Sequence, residues 1–114
     1  DGEQRRDFIY VKDVVAIILW CWQAQVSGIF NCGTGQSRSF NDIASTLLQL
    51  NQNGECRYIP FPEHLKGAYQ SFTEANMQRL RAAGCNLPMH TLEEALTDYW
   101  HWFHGEKLRS TTTA

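Results

Sequence analysis

Apolar and polar positions along the chain switch between the period of a strand and that of a helix. Phe8, Ile9, Tyr10 and Val11 form a β-type run directly after two arginines and an aspartate. Val14, Val15, Ile17, Ile18 and Trp20 then predict a helix from Val14 to about Gln25 that is apolar on nearly every face, and such a helix expects protein on more than one side. Asp13 stands where its carboxylate can cap that helix. Ile29-Phe30-Asn31-Cys32 predicts a short strand stopped by Gly33. Ser39, with Asp42 three residues on, opens a second helix whose apolar stripe is Phe40, Ile43, Ala44, Leu47, Leu48 and Leu50. Asn51 to Gly54 reads as a polar turn, and Cys56 to Ile59 as a third strand that Pro60 and Pro62 cut short. Residues 63–72 read as a loop, and Thr73 as the cap of a helix ending at Gly84. Thr91 and Glu94 form a capping box for a last helix that turns Leu92, Ala95, Leu96, Tyr99 and Phe103 inward.

The order β-α-β-α-β-α-α predicts an α/β fold with some parallel pairing, because β-α-β crossovers join parallel strands. Three strands make a small sheet. Together with the all-round apolar first helix, the strand at the start of the chain predicts that the rest of the sheet lies outside these residues. The chain reads as the tail of a larger α/β protein.

Composition narrows the classes. The chain is 43% hydrophobic and 19% charged, with a net charge of −2. Phosphate-backbone binding wants clustered Lys and Arg, so nucleic acid is not expected as a partner. The longest apolar run, Val14 to Trp22, falls short of the ~20 residues of a membrane span, and no membrane partner is expected. Cys21, Cys32, Cys56 and Cys85 form no C-x-x-C pair, which predicts free thiols in a reducing cytoplasm.

The candidate chemistry is sparse. Gly33-Thr34-Gly35 sits between a strand and a helix, but Arg38 occupies the third glycine position of a dinucleotide loop. The stretch therefore reads as a close-packed turn. His101 and His104 lack further ligands at metal-site spacing and read as solvent-facing. Trp20 and Trp22, like Trp100 and Trp102, are spaced by two, so one of each pair should face the core and the other an edge. In Arg5-Arg6-Asp7 an arginine entering a strand can grip a phosphate while the neighbouring acid steadies its guanidinium, or the three can form a surface ion pair. The proline-bound stretch carrying Lys66, Gly67 and Tyr69 reads as a ligand-covering loop, with a plain connector as the alternative. Neither a G-x-S-x-G, an H-E-x-x-H nor a Y-x-x-x-K sequence is present, so no catalytic residue is assigned.

Three stretches, RRDFIYVKDVV, GIFNCGTGQSRSF and YIPFPEHLKGAYQSFTEANMQRLRAAG, resemble in order the C-terminal part of extended short-chain dehydrogenase/reductases. The third resembles the ADP-L-glycero-D-manno-heptose 6-epimerases in particular. The likeness covers residues 1–104, and residues 105–114 read as a polar, disordered tail. The resemblance implies a C-terminal substrate-binding lobe without its Rossmann lobe. It further implies NADP as the cofactor of the whole enzyme, bound outside this chain, and an ADP-sugar as substrate. The enzyme is expected to be a homo-oligomer acting in the cytoplasm on heptose for lipopolysaccharide. Residue by residue it implies substrate contacts at Arg6 and Tyr69 and a structural turn at Gly33 and Gly35. Asn76 departs from the family's usual aspartate. A different nucleotide-sugar epimerase or dehydratase, or a free-standing nucleotide-sugar-binding module, remains the alternative.

Overall fold

The computed structural model describes residues 1–112, with residues 106–112 described by backbone alone. Two very short strands, β1 (Arg5–Arg6) and β2 (Arg38–Ser39), pair antiparallel, Arg5 opposite Ser39 and Arg6 opposite Arg38. Between them runs helix α1 (Val11–Ala24), and after β2 come α2 (Phe40–Asn51), a 3-10 turn (Glu63–Leu65), α3 (Gln78–Ala82) and α4 (Leu92–Thr112).

The predicted strands are the main correction. Phe8–Val11 is no strand: α1 begins at Val11 itself, and the pairing falls on the two arginines before it. Neither Ile29–Cys32 nor Cys56–Ile59 pairs with another segment among the described residues, and residues 51–72 are exposed throughout. A strand exists only through its partner, and β-type composition without one leaves extended chain. The expected parallel pairing shrinks to a single bridge between Arg5 and Phe72.

Both local helix starts hold. The Ser39 hydroxyl accepts from the Asp42 amide at 3.1 Å, and the Asp42 carboxylate accepts from the Ser39 amide at 3.0 Å. Thr91 and Glu94 make the same reciprocal pair, each bond 3.1 Å. Arg38 ties the two helices together, its Nε 3.1 Å from Asp42 and its Nη1 2.9 Å from Glu93. The bond to Glu93 leads the causes that raise the guanidinium's pKa, and the same bond lowers that of Glu93.

Two predicted caps fail for a tertiary reason. Asp13 lies inside the first turn of α1, buried, and accepts from the His90 amide at 2.8 Å and meets His90 Nδ1 at 2.7 Å. Its carboxylate therefore joins α1 to the segment that leads into α4 rather than serving its own helix. Thr73 caps nothing, since α3 starts only at Gln78, whose amide is taken by the Asn76 side chain at 3.0 Å. At the other end of α3, Arg81 Nη1 donates to the carbonyls of Cys85 and Leu87, both at 2.9 Å.

The core is small: Ile17 of α1, Met77, Leu80 of α3 and Cys85, with Ile9, Trp20, Phe30 and Met89 packed against them. Trp20 thus faces the core while Trp22 is 75% exposed, the split that their spacing predicts. All four cysteines carry free thiols, with Cys85 in the core and Cys32 and Cys56 exposed. On the far side of α1, Val11, Val15, Ile18 and Trp22 form one exposed apolar stripe at helical spacing. The radius of gyration, 17.5 Å, exceeds the ~13 Å of a compact domain of this length. Of the polar, disordered tail expected from residue 105 onward, residues 105–112 lie in helix α4 (106–112 by backbone alone), and residues 113–114 lie outside the described residues.

Replacing Asp13 by Ala removes both bonds to His90 and leaves the His90 amide without its acceptor. Unfolding in urea should show a loss of roughly 1.5–3 kcal/mol, the range for hydrogen bonds to a charged group. Asp98→Ala, at the exposed cluster where Asp98 meets Tyr10 and Lys12, should change stability little.

Candidate functional site

The two arginines of β1 face opposite ways, as successive strand residues must. Arg5 turns toward the segment before β2, donating from Nη2 to the Ser37 carbonyl at 2.6 Å and from Nε to the Ser37 hydroxyl at 3.1 Å. Its backbone meets the end of the 51–72 loop, with the Arg5 amide 2.8 Å from the Ser71 carbonyl and the Thr73 amide 3.1 Å from the Arg5 carbonyl. Arg6 projects to the other side.

That other side carries the candidate site. Arg6 Nη1 donates to the Arg5 carbonyl at 2.8 Å, and Nη2 donates to the Gln70 carbonyl. The Arg6 guanidinium lies over the Tyr69 ring, 4.8 Å from its centroid. The two residues singled out in the sequence, 63 positions apart, therefore meet through a cation–π contact. An arginine carries five N–H donors in a planar fork, and the two bonds to carbonyls leave donors over for an anion. Carbonyls and a ring do not cancel its charge. Tyr69 is 42% exposed.

Asp7 does something other than steady a guanidinium. Its Oδ1 accepts from the Thr34 amide at 2.9 Å and the Thr34 hydroxyl at 2.5 Å. Its Oδ2 accepts from the Gly35 amide at 2.9 Å and the Ala75 amide at 3.1 Å. Partial burial pushes the carboxyl pKa up, but the Thr34 hydroxyl and the three amides outweigh it, and the net shift is downward. Gly33 is required here by space: a Cβ on it would lie 2.6 Å from the Ala75 Cβ and 2.7 Å from Asp7 Oδ2. Gly35 is required by conformation, with φ at +78°. The turn is close-packed, as its sequence predicts, and its amides serve Asp7 instead of a phosphate.

The role of Asp7, the Gln70 carbonyl and the Ser37 partner of Arg5 escape sequence reasoning. An acid next to an arginine suggests an ion pair, and only the amide-rich G-T-G turn hints that a carboxylate is wanted elsewhere.

Comparison with known proteins bears on these same residues. The profile of the NAD dependent epimerase/dehydratase family matches residues 1–33, the stretch with Arg6, Asp7 and α1. The chain also superposes over 90% of its length, with a TM-score of 0.76 and 33% identity, on the Helicobacter pylori ADP-L-glycero-D-manno-heptose-6-epimerase. The chain resembles the NAD dependent epimerase/dehydratase family in both comparisons. A second similar structure is TunA, an NAD-dependent NDP-hexosamine 5,6-dehydratase of tunicamycin biosynthesis, at 29% identity and a TM-score of 0.73 over 92% of the chain. The UDP-N-acetylglucosamine 4-epimerase of Methanobrevibacter ruminantium shares the fold, with a TM-score of 0.77 over 93% of the chain at 22% identity. The chain spans 31%, 34% and 33% of these three proteins. It is thus an α/β piece of the extended short-chain dehydrogenase/reductase fold.

Asp7→Asn puts an amide nitrogen where two N–H donors now point. It should cost on the order of 1–3 kcal/mol of stability, the cost of leaving such donors unpaired. The pH dependence follows from the lowered pKa. The contribution of Asp7 is complete above the ordinary aspartate value of 3.8 and is lost as pH falls through the depressed folded value. Acid-unfolding curves of the wild type should therefore carry a transition that Asp7→Asn lacks.

Proposed function

We propose that this chain is the substrate-binding portion of an NADP-dependent ADP-glyceromanno-heptose 6-epimerase. Such an enzyme interconverts ADP-D-glycero- and ADP-L-glycero-D-manno-heptose by transient oxidation at C6, and supplies heptose for the inner core of lipopolysaccharide. The observation that carries this reading is the meeting of Arg6 and Tyr69, with spare guanidinium donors beside a half-exposed tyrosine. The 33% identity to the Helicobacter pylori 6-epimerase supports the choice of sugar.

In this reading Arg6 binds the ADP portion of the substrate, where a charged fork suits phosphate oxygens. Tyr69 lends its ring to Arg6 and its hydroxyl to the ligand. A nicotinamide cofactor bound to the whole enzyme would supply the hydride chemistry. The residues described here do not fit it: the Thr34 and Gly35 amides that could cradle a phosphate are held by Asp7. The cofactor therefore belongs to the nucleotide-binding lobe, and the bare apolar stripe of α1 is where that lobe packs. The exposure of Val11, Val15, Ile18 and Trp22 supports that packing and speaks against a free-standing binding module. The same reading makes the enzyme a cytoplasmic homo-oligomer. No helix among the described residues is long and apolar enough to cross a membrane.

A second reading, another nucleotide-sugar epimerase or dehydratase, is favoured by the likeness to TunA. Turnover by the full-length protein separates the two. Epimerisation of ADP-heptose in preference to UDP- and dTDP-sugars is the expected result, and the reverse preference would reject the heptose assignment. Within the full-length enzyme, Arg6→Ala should weaken ADP-heptose binding by roughly 1.5–3 kcal/mol, as for a charged hydrogen bond. An unchanged KM and kcat would remove Arg6 from the site. Tyr69→Phe keeps the ring and should lower kcat/KM only if the hydroxyl touches substrate.

A further inference from the structure

Phe61 stands between Pro60 and Pro62, whose rings restrict the backbone on either side of it. It lies in a stretch, 51–72, that is exposed from end to end. Its ring is nevertheless turned back onto Tyr69, with centroids 5.3 Å apart and planes at 62°, the edge-on arrangement that aromatic quadrupoles favour. Tyr69 in turn faces the Arg6 guanidinium at 4.8 Å, and the carbonyl of the next residue, Gln70, accepts from Arg6. Phe61, Tyr69 and Arg6 thus form a chain of three planar groups, of which only the last two have polar atoms to offer a ligand.

A surface tyrosine on an exposed loop ordinarily visits several rotamers, and ordering it on binding has an entropic cost. A ring braced edge-on before the ligand arrives reduces that cost. We infer that Phe61 is a positioning residue for the anion site: it holds Tyr69 over Arg6, and through Tyr69 it sets the direction of the guanidinium's free donors. The inference rests on the reading of Arg6 and Tyr69 as the ADP-binding pair. It adds a specificity for rings at position 61 that the polar chemistry of the site does not require.

The test is calorimetric titration of the full-length enzyme with ADP alone. Phe61→Ala should raise Kd about 3-fold to 5-fold, the size of one exposed cation–π contact, with the melting temperature recorded to show that the fold is kept. Phe61→Tyr, which restores a ring, should return the wild-type Kd. In a Tyr69→Ala background Phe61→Ala should have no further effect, an outcome that a merely structural role for Phe61 does not produce. An unchanged Kd in Phe61→Ala, or an equal loss with and without Tyr69, overturns the inference while leaving the ADP site standing. A wild-type enzyme with no measurable affinity for ADP overturns the reading of the site and this inference with it.

Discussion

One carboxylate organises the described structure. A carboxylate has about four lone-pair positions, and Asp7 fills all four, two on each oxygen, with donors from Thr34, Gly35 and Ala75. Three stretches distant in sequence are thereby held at one point: the exit of β1, the glycine turn before β2 and the approach to α3. The neighbours of that point inherit their placement. Arg6 precedes Asp7 and must leave the strand on a defined side, and Ala75 brings the end of the long loop back to β1. Tyr69 and Gln70, just upstream, are thus returned to Arg6. The candidate site is therefore a consequence of the anchor beside it.

What the sequence made legible divides by range. The capping pairs Ser39 with Asp42 and Thr91 with Glu94 are local, and both form as the residues predict. The exposed and buried partners of the Trp20–Trp22 pair follow from helical geometry alone. Strands are another matter, since a strand is defined by what lies beside it. Phe8–Val11, Ile29–Cys32 and Cys56–Ile59 have the right composition and no partner among the described residues, whereas Arg5–Arg6 has poor β composition and does pair. Asp13 reads as a cap because its offset to the helix is right. Its true partner, His90, is 77 positions away and leaves no periodic trace. Arg6 and Tyr69 could be named together only through family resemblance, because nothing in the spacing of 63 residues says that they touch.

The arginines show how context assigns different work to one side chain. Arg38 is clamped between two carboxylates and its charge is spent on joining α2 to α4. Arg5 and Arg81 spend donors on carbonyls and a hydroxyl of the chain itself. Arg6 alone among these four is held against an aromatic face. A guanidinium there is oriented without being neutralised, the condition that an anion site needs.

The span of the Asp7 contacts also bears on how the molecule comes together. Its bonds close loops of 27 and 68 residues, and every such closure has an entropic penalty that local helices do not face. Non-local contacts of this kind assemble late and slow the approach to the native state. Helices α1 and α2 can form from neighbouring residues, but the joint at Asp7 waits until residue 75 has arrived. The same joint governs reversal. A fluctuation that frees the segment around Ala75 releases one bond of the anchor and loosens the tether of the loop that carries Tyr69, so the edge where Arg6 meets Tyr69 lies at the low end of local stability.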